Sequence, residues 1–299
     1  MEQSTVRIST GDEKEPIPLS FKIAVLWRQI KMLSRELKFR WQTFSPPHQT
    51  PHGFVFWGNK HVIKGTFEPH ESRLFNALLP FVDEIVNVGA NVGYYCCHAL
   101  RKKKHVIAFE PDPLNIRYLL SNLQANGWSE NFELFPFCLG EKREVKSIFG
   151  HGTGASLLKG WADVPETHSN LTFVNTADNI FEKRSPKRRL FMVDIEGAEY
   201  SFLKGAKSLI NSEDKHYWIL EINIANHFPD SDINPKLLDV IDIFLNAKYD
   251  IWGIKENLVP ISREIITSTI AEQKDKIKTH NFLFLPSGNS EEILDRIKA

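Results

Sequence analysis

A chain of 299 residues, 42% hydrophobic and 25% charged, is long enough to close a full apolar core in one or two domains, and its composition excludes a disordered or fibrous protein. Its 37 Lys and Arg are balanced by 37 Asp and Glu, which excludes the global basic field that attracts nucleic acid. Three cysteines, Cys96 and Cys97 adjacent and Cys138 apart, make neither a disulfide framework nor a CxxC zinc pair, so reduced thiols in a cytoplasmic setting are expected.

Residues 1–18 are polar and punctuated by proline, without the apolar core of a signal peptide, and read as mobile. Ile23, Leu26, Ile30, Leu33 and Leu37 then recur at spacings of three and four, which predicts a helix with one apolar stripe. Lys22, Arg28, Lys31, Arg35, Lys38 and Arg40 fill the other faces against a single acid, Glu36. Such a helix packs on protein, pairs two chains as a homodimer, or lies on an anionic membrane surface; residues 19–44 are assigned to that set of contacts. No apolar run reaches the roughly 18 residues needed to span a bilayer. "SPPHQTP" ends the helix, "FVFWGNKHVIKG" predicts a hairpin around Gly58-Asn59, and a short helix follows Pro69. Residues 1–50 are read as a helical arm, and 51–299 as a single domain.

From residue 84 strands and helices alternate. "EIVNV", "HVIAF", "FELFPF", "LFMVDI" and "YWILEI" are predicted strands, with Pro136 counting against the third. "YYCCHAL" starts a helix. "EPDPLNIRYLLSNLQANG" is a helix with Asp112 as N-cap, Pro113 at its first position and Gly127 as its stop. "AEYSFLKGAKSLI" and "NPKLLDVIDIFLNAKY" are two more helices, and "DIWGI" and "NFLFL" two late strands. The stretch between residues 138 and 185 reads as irregular. The pattern predicts an α/β domain with a mostly parallel sheet covered on both faces.

In such sheets ligands bind beyond the carboxyl ends of the strands, where the first strand turns into its helix. Gly89 and Gly93 fall there, and bare backbone lets a cofactor approach the positive end of the following helix. Glu110, at the tip of the second strand, has the geometry to accept both hydroxyls of an adenosine ribose. The turn Asn87, Gly89, Asn91 and Gly93, with Glu110, is therefore read as a cofactor site.

"NVGANVGYY", "VIAFEPDPLNIRYLLSNLQANG", "GASLL" and "FMVDIEGAEYSFLKGAKSLI" followed by "WILEIN" resemble the FkbM-type family of S-adenosylmethionine-dependent methyltransferases, in order from about Glu71 to the last strands. "VDIEGAE" is the most specific part, and the N-terminal arm lies outside the match. The resemblance implies a Rossmann-like class I methyltransferase fold of seven strands, the last antiparallel. It implies S-adenosylmethionine as cofactor, with Cys138 near the adenine, and methyl transfer to an oxygen, commonly of a sugar, glycan or polyketide-like acceptor. The family usually begins its glycine turn with Asp; Asn87 keeps the shape and loses the charge.

Methyl transfer needs acceptor oxygen, methyl and sulfur in line, and a group to take the hydroxyl proton. Asp194 or Glu196 is expected to be that base or to orient the acceptor, Glu199 to be structural, and His227 to be the alternative base. Asp194, Glu221 and Asn223 offer hard oxygen ligands from which a magnesium ion is conceivable. His151, in "GHGTGAS", is a candidate for the acceptor pocket. Tyr200 and Lys204 have the spacing of a short-chain dehydrogenase pair, but Tyr95 stands where those enzymes place a third glycine. The sequence is read as an O-methyltransferase acting on a hydroxyl of a sugar, glycan or glycan precursor, the alternative being a non-catalytic cofactor-binding or interaction module on the same fold.

Overall fold

Residues 19–225, 227–229 and 231–298 are described by a computed structural model; the polar lead-in read from residues 1–18 lies outside them. The long helix α1 (Leu19–Phe44) comes first, then α2 (Pro69–Leu78) with proline in its first turn. Seven strands follow: β1 (Glu84–Val88), β2 (His105–Phe109), β3 (Phe132–Phe135), β4 (Arg189–Val193), β5 (Tyr217–Glu221), β6 (Tyr249–Gly253) and β7 (Asn281–Pro286). They form one sheet in the order 3-2-1-4-5-7-6, with an added two-residue strand, Val259–Pro260, beside β6. All run parallel except β7, which lies antiparallel between β5 and β6. This is the expected Rossmann-like arrangement, with one short edge strand more than anticipated.

The strands are near-continuous apolar runs because both faces of the sheet are covered. Side chains alternate sides along a strand, so one core takes Val86, Ile107, Phe191 and Trp218 and the other takes Ile85, Val106, Leu190 and Ile219. Trp218 stacks on Phe191 with ring centres 4.0 Å apart. Helices α3 (Tyr94–Arg101), α4 (Pro113–Ala125), α5 (Glu199–Lys204) and α6 (Leu237–Asn246) follow β1, β2, β4 and β5. The start of α4 is as the sequence spells it: Asp112 Oδ1 accepts from the backbone N–H of Leu114 at 2.8 Å and of Asn115 at 3.1 Å, with Pro113 next in line.

Three local expectations fail, each for a physical reason. The hairpin around Gly58-Asn59 is absent: Val55–Phe56 pairs back onto His48–Gln49, and Asn59 instead caps the helix Lys60–Lys64 by accepting from the His61 N–H. The predicted third strand did form, and Pro136 marks its end. The helix after β4 breaks at Gly205, where a Cβ would lie 2.0 Å from the Gly140 carbonyl oxygen, and restarts as Lys207–Ile210. The stretch after β3 is not irregular: Cys138–Leu139, Glu144–Phe149 and Ser169–Asn175 make a separate three-stranded sheet. The helices Arg263–Ala271 and Ser290–Lys298 were not anticipated at all.

Helix α1 lies on the main body through one face. Arg35 pairs with Asp112 at 3.3 Å, Glu36 with Arg117 at 2.5 Å, and the buried Phe39 ring meets Tyr118 edge-on at 4.6 Å. Among the described residues, no helix is long and apolar enough to cross a membrane.

Candidate active site

At the carboxyl ends of β1, β2 and β4 the chain leaves a cavity that opens to solvent, with an enclosed volume of about 60 Å³. One wall is the turn after β1. There the Gly89 and Ala90 N–H groups both donate to the Phe109 carbonyl at 3.0 Å, and Gly89, Asn91 and Gly93 all have positive φ. The Gly89 turn is bare because the protein itself fills the space: a Cβ at Gly89 would lie 1.8 Å from the Asp194 carbonyl oxygen.

Glu110 forms the second wall and stitches the turn to β2. Its Oε2 accepts from the Asn91 N–H at 2.7 Å; its Oε1 accepts from the Asp112 N–H at 2.9 Å and from Asn115 Nδ2 at 3.2 Å. Burial pushes its pKa up to about 7 in spite of those bonds. Asn91 Oδ1 is buried beside it without a hydrogen-bond partner. An apolar side is supplied by Phe137, Leu139, Ile148 and Leu157, with Cys138 among them, its thiol pushed up to about 12 by burial.

The third wall carries the acids after β4. The Asp194 N–H donates to the Val88 carbonyl at 3.0 Å, which closes β4 onto β1. Burial, then the charges of Glu221 and Glu196, raise the Asp194 pKa well above the usual carboxylate range. Glu196 sits in the left-handed region at φ 54, a conformation that costs a non-glycine residue of order 1 kcal/mol. Two contacts hold it: the Trp161 indole N–H donates to Glu196 Oε2 at 3.1 Å, and Ser156 Oγ donates to its carbonyl at 2.6 Å. Gly197 must be glycine here, because a Cβ would lie 2.4 Å from the Trp161 ring. Burial raises the Glu196 pKa, and the indole bond opposes the rise. The buried Glu199 folds back onto the Gly197 N–H at 3.0 Å, and burial lifts its pKa to about 7.

A family model for the FkbM methyltransferase domain matches residues 87–251, more than half of the chain. The chain belongs to the FkbM methyltransferase family. Solved structures with a similar fold include an FkbM methyltransferase from Methylobacillus flagellatus, at 20% identity, covering 75% of this chain and 52% of that one, with a TM-score of 0.44. Others are an O-methyltransferase from Bacillus cereus in complex with SAH (8% identity, 91% and 92% covered, TM-score 0.44) and a SAM-dependent O-methyltransferase from Thermotoga maritima (12% identity, 72% and 64% covered, TM-score 0.35). The chain spans about half the length of the first of these. No curated protein matches the sequence.

In this member of the FkbM family the cavity brings together Gly89, Asn91, Glu110, Cys138, Asp194 and Glu196. Asn87 is not on its walls: the buried amide donates to the Met192 carbonyl at 3.3 Å, and its oxygen accepts from the Cys96 thiol. Gly93 packs against Leu119 and gives α3 its left-handed start. Glu221 lies next to the acids; burial, then the charges of Glu196 and Glu68, push its pKa to about 8. The buried Asn223 accepts through its carbonyl from Asn234 Nδ2. His227 stands beyond Trp161, ring centres 5.4 Å apart. His151 is half-buried beside α1, its Nδ1 3.5 Å from the Asn170 amide and its Nε2 buried without a partner, and it does not line the cavity. Among the described residues no group of three or more His, Cys, Asp or Glu is placed to hold a metal ion.

Sequence reasoning missed Trp161, Ser156 and Glu68. A signal for Ser156 lay in the "GASLL" match, but nothing local marks a tryptophan at 161 as the neighbour of a glycine at 197.

Proposed function

We propose that this methyltransferase uses S-adenosylmethionine to methylate a hydroxyl oxygen on a sugar, glycan or glycan precursor. One observation carries the reading: a single cavity has Glu110 on one wall, Asp194 and Glu196 on another, and Asn91, whose buried oxygen has no partner, in the turn that lines it. The residues fit the cofactor. Glu110 is a carboxylate for the ribose hydroxyls, Asn91 Oδ1 is an acceptor awaiting a donor, and the Phe137–Ile148 side is an apolar bed for a purine. When bound, the cofactor supplies an electrophilic methyl on a sulfonium.

The chain's own work is alignment and proton removal. Asp194 and Glu196 line the same cavity as Glu110, and burial raises the pKa of both above the ordinary carboxylate value, the direction that makes a carboxylate a stronger base. Trp161 and Ser156 fix Glu196 in its left-handed turn, so it acts from one position. The oxygen acceptor and its carbohydrate nature are supported by the resemblance of "VDIEGAE" and its flanks to the FkbM family. Magnesium at Asp194, Glu221 and Asn223 gains no support from the geometry.

The test is a labelled-methyl screen over glycans, free sugars, lipids and small hydroxyl compounds, with and without magnesium, after calorimetric titration with S-adenosylmethionine. Failure to bind the cofactor would sink the reading; binding with transfer only to nitrogen or carbon acceptors would sink the oxygen assignment. One observation favours the non-catalytic module. The position where the family carries a cofactor-binding Asp is here Asn87, and its amide is spent on Met192 and Cys96. Cofactor binding that survives Asp194→Ala and Glu196→Ala, with transfer absent throughout, would select that alternative.

A further inference from the structure

Helix α1 presents two faces. At about 100° per residue, Arg28, Arg35 and Phe39 fall on one side, and they are the residues that grip Asn170, Asp112 and Tyr118. The opposite side is apolar along its length: Ile23, Leu26, Ile30, Leu37, Trp41 and Phe44 fall within a sector of about 60°, and all are exposed, Trp41 by 79% and Phe44 by 91%. Trp27 borders this stripe and is exposed as well. The exposed Lys22 and Arg40 flank one side of the stripe, Lys31 and Lys38 the other.

Charge decides what covers this face. The only acid on α1, Glu36, is already held by Arg117 and Arg40. A second copy would bring basic flanks against basic flanks with no free acid on either helix to answer them. An anionic bilayer answers the lysines on both flanks: basic side chains reach the headgroups, the stripe enters the acyl boundary, and the two tryptophans sit at the interface. The location agrees. A groove between Met32 and Leu33 of α1 and Ile148 and Leu171 shares Pro111, Ile148 and Ala155 with the active-site cavity, so α1 itself runs beside the site.

We propose that α1 is a membrane-surface anchor that lies in the plane of an anionic phospholipid bilayer through its outward stripe and basic flanks. This stands on the helix alone and is independent of the reaction assigned to the cavity.

The experiment is flotation of the full chain with phosphatidylcholine vesicles, with and without phosphatidylglycerol. The wild type should float with the anionic vesicles, shift its tryptophan emission to the blue, and release in high salt. Replacing Lys31→Gln and Lys38→Gln together should weaken binding about thirtyfold, and Leu37→Ser with Trp41→Ser at least about tenfold. These side chains face away from the core, so the melting temperature of both variants should stay at the wild-type value, which separates lost anchoring from lost folding. The proposal is overturned if the wild type stays unbound, or if the variants float as well as the wild type. A concentration-dependent dimer that Leu37→Ser disperses, in a protein that never binds vesicles, would overturn it in favour of a second copy.

Discussion

The carbonyl oxygen of Asp194 occupies the place where a side chain on Gly89 would begin, 1.8 Å from the position of its Cβ. The glycine turn and the acids proposed for catalysis are therefore in backbone contact, with β1 and β4 closed together at their tips. Gly89→Ala should lose at least about 3 kcal/mol of stability, since it adds a backbone clash to a left-handed φ. Gly127→Ala has the same φ sign with nothing within 4 Å and should lose only about 1 kcal/mol. Denaturant titration of the two variants checks the contrast; equal losses would mean that φ alone, and not the Asp194 carbonyl, makes Gly89 necessary.

Glu110 predicts how cofactor affinity follows pH. Its pKa stands at about 7 in the free protein because of burial, and ribose hydroxyls donate best to the ionised form. Affinity should be flat above that pH and fall about tenfold per unit below it. Glu110→Ala should weaken binding by roughly 2–3 kcal/mol, the worth of one or two charge-assisted bonds. Calorimetry across the neutral range reads both effects; an affinity that does not change with pH in the wild type would take the ribose away from Glu110.

The frame was legible where the signal is local. Five-residue apolar runs such as "EIVNV" and the Asp112-Pro113 cap declare themselves over a few residues, and both formed as read. Gly89 was legible as a position but not in its cause, which sits more than a hundred residues away on the Asp194 backbone. Asn59 failed as a turn because the same short amide serves a helix cap equally well. The Asp194–Glu196 rim was legible as a row of acids, whereas the Trp161 indole that aims Glu196 comes from a loop whose spacing carries no code.

Glu199 should make the protein less stable as pH rises. Burial raises its folded pKa to about 7 from the ordinary 4.5, so its stabilising protonation is complete below about pH 4.5 and is lost as pH rises through 7. Glu199→Gln keeps an oxygen for the Gly197 N–H and removes the buried charge. Its melting temperature should match the wild type at acid pH and exceed it above neutrality, by an amount equivalent to about 3 kcal/mol at most. A variant less stable than the wild type at every pH would show that Glu199 is needed as an ion.

Trp161 should set the pH at which transfer begins. Its indole N–H stabilises the charged form of Glu196 against burial, so removing the donor lets the Glu196 pKa climb. Trp161→Phe keeps a ring beside Gly197 and loses only that bond. If Glu196 is the base, the acid limb of the kcat profile moves to higher pH while cofactor affinity stays as it was, because Glu110 and Asn91 lie on other walls. If Asp194 is the base, the limb stays in place and Glu196→Gln costs less than Asp194→Asn. The two profiles, measured on the same acceptor, therefore assign the proton to one carboxylate or the other.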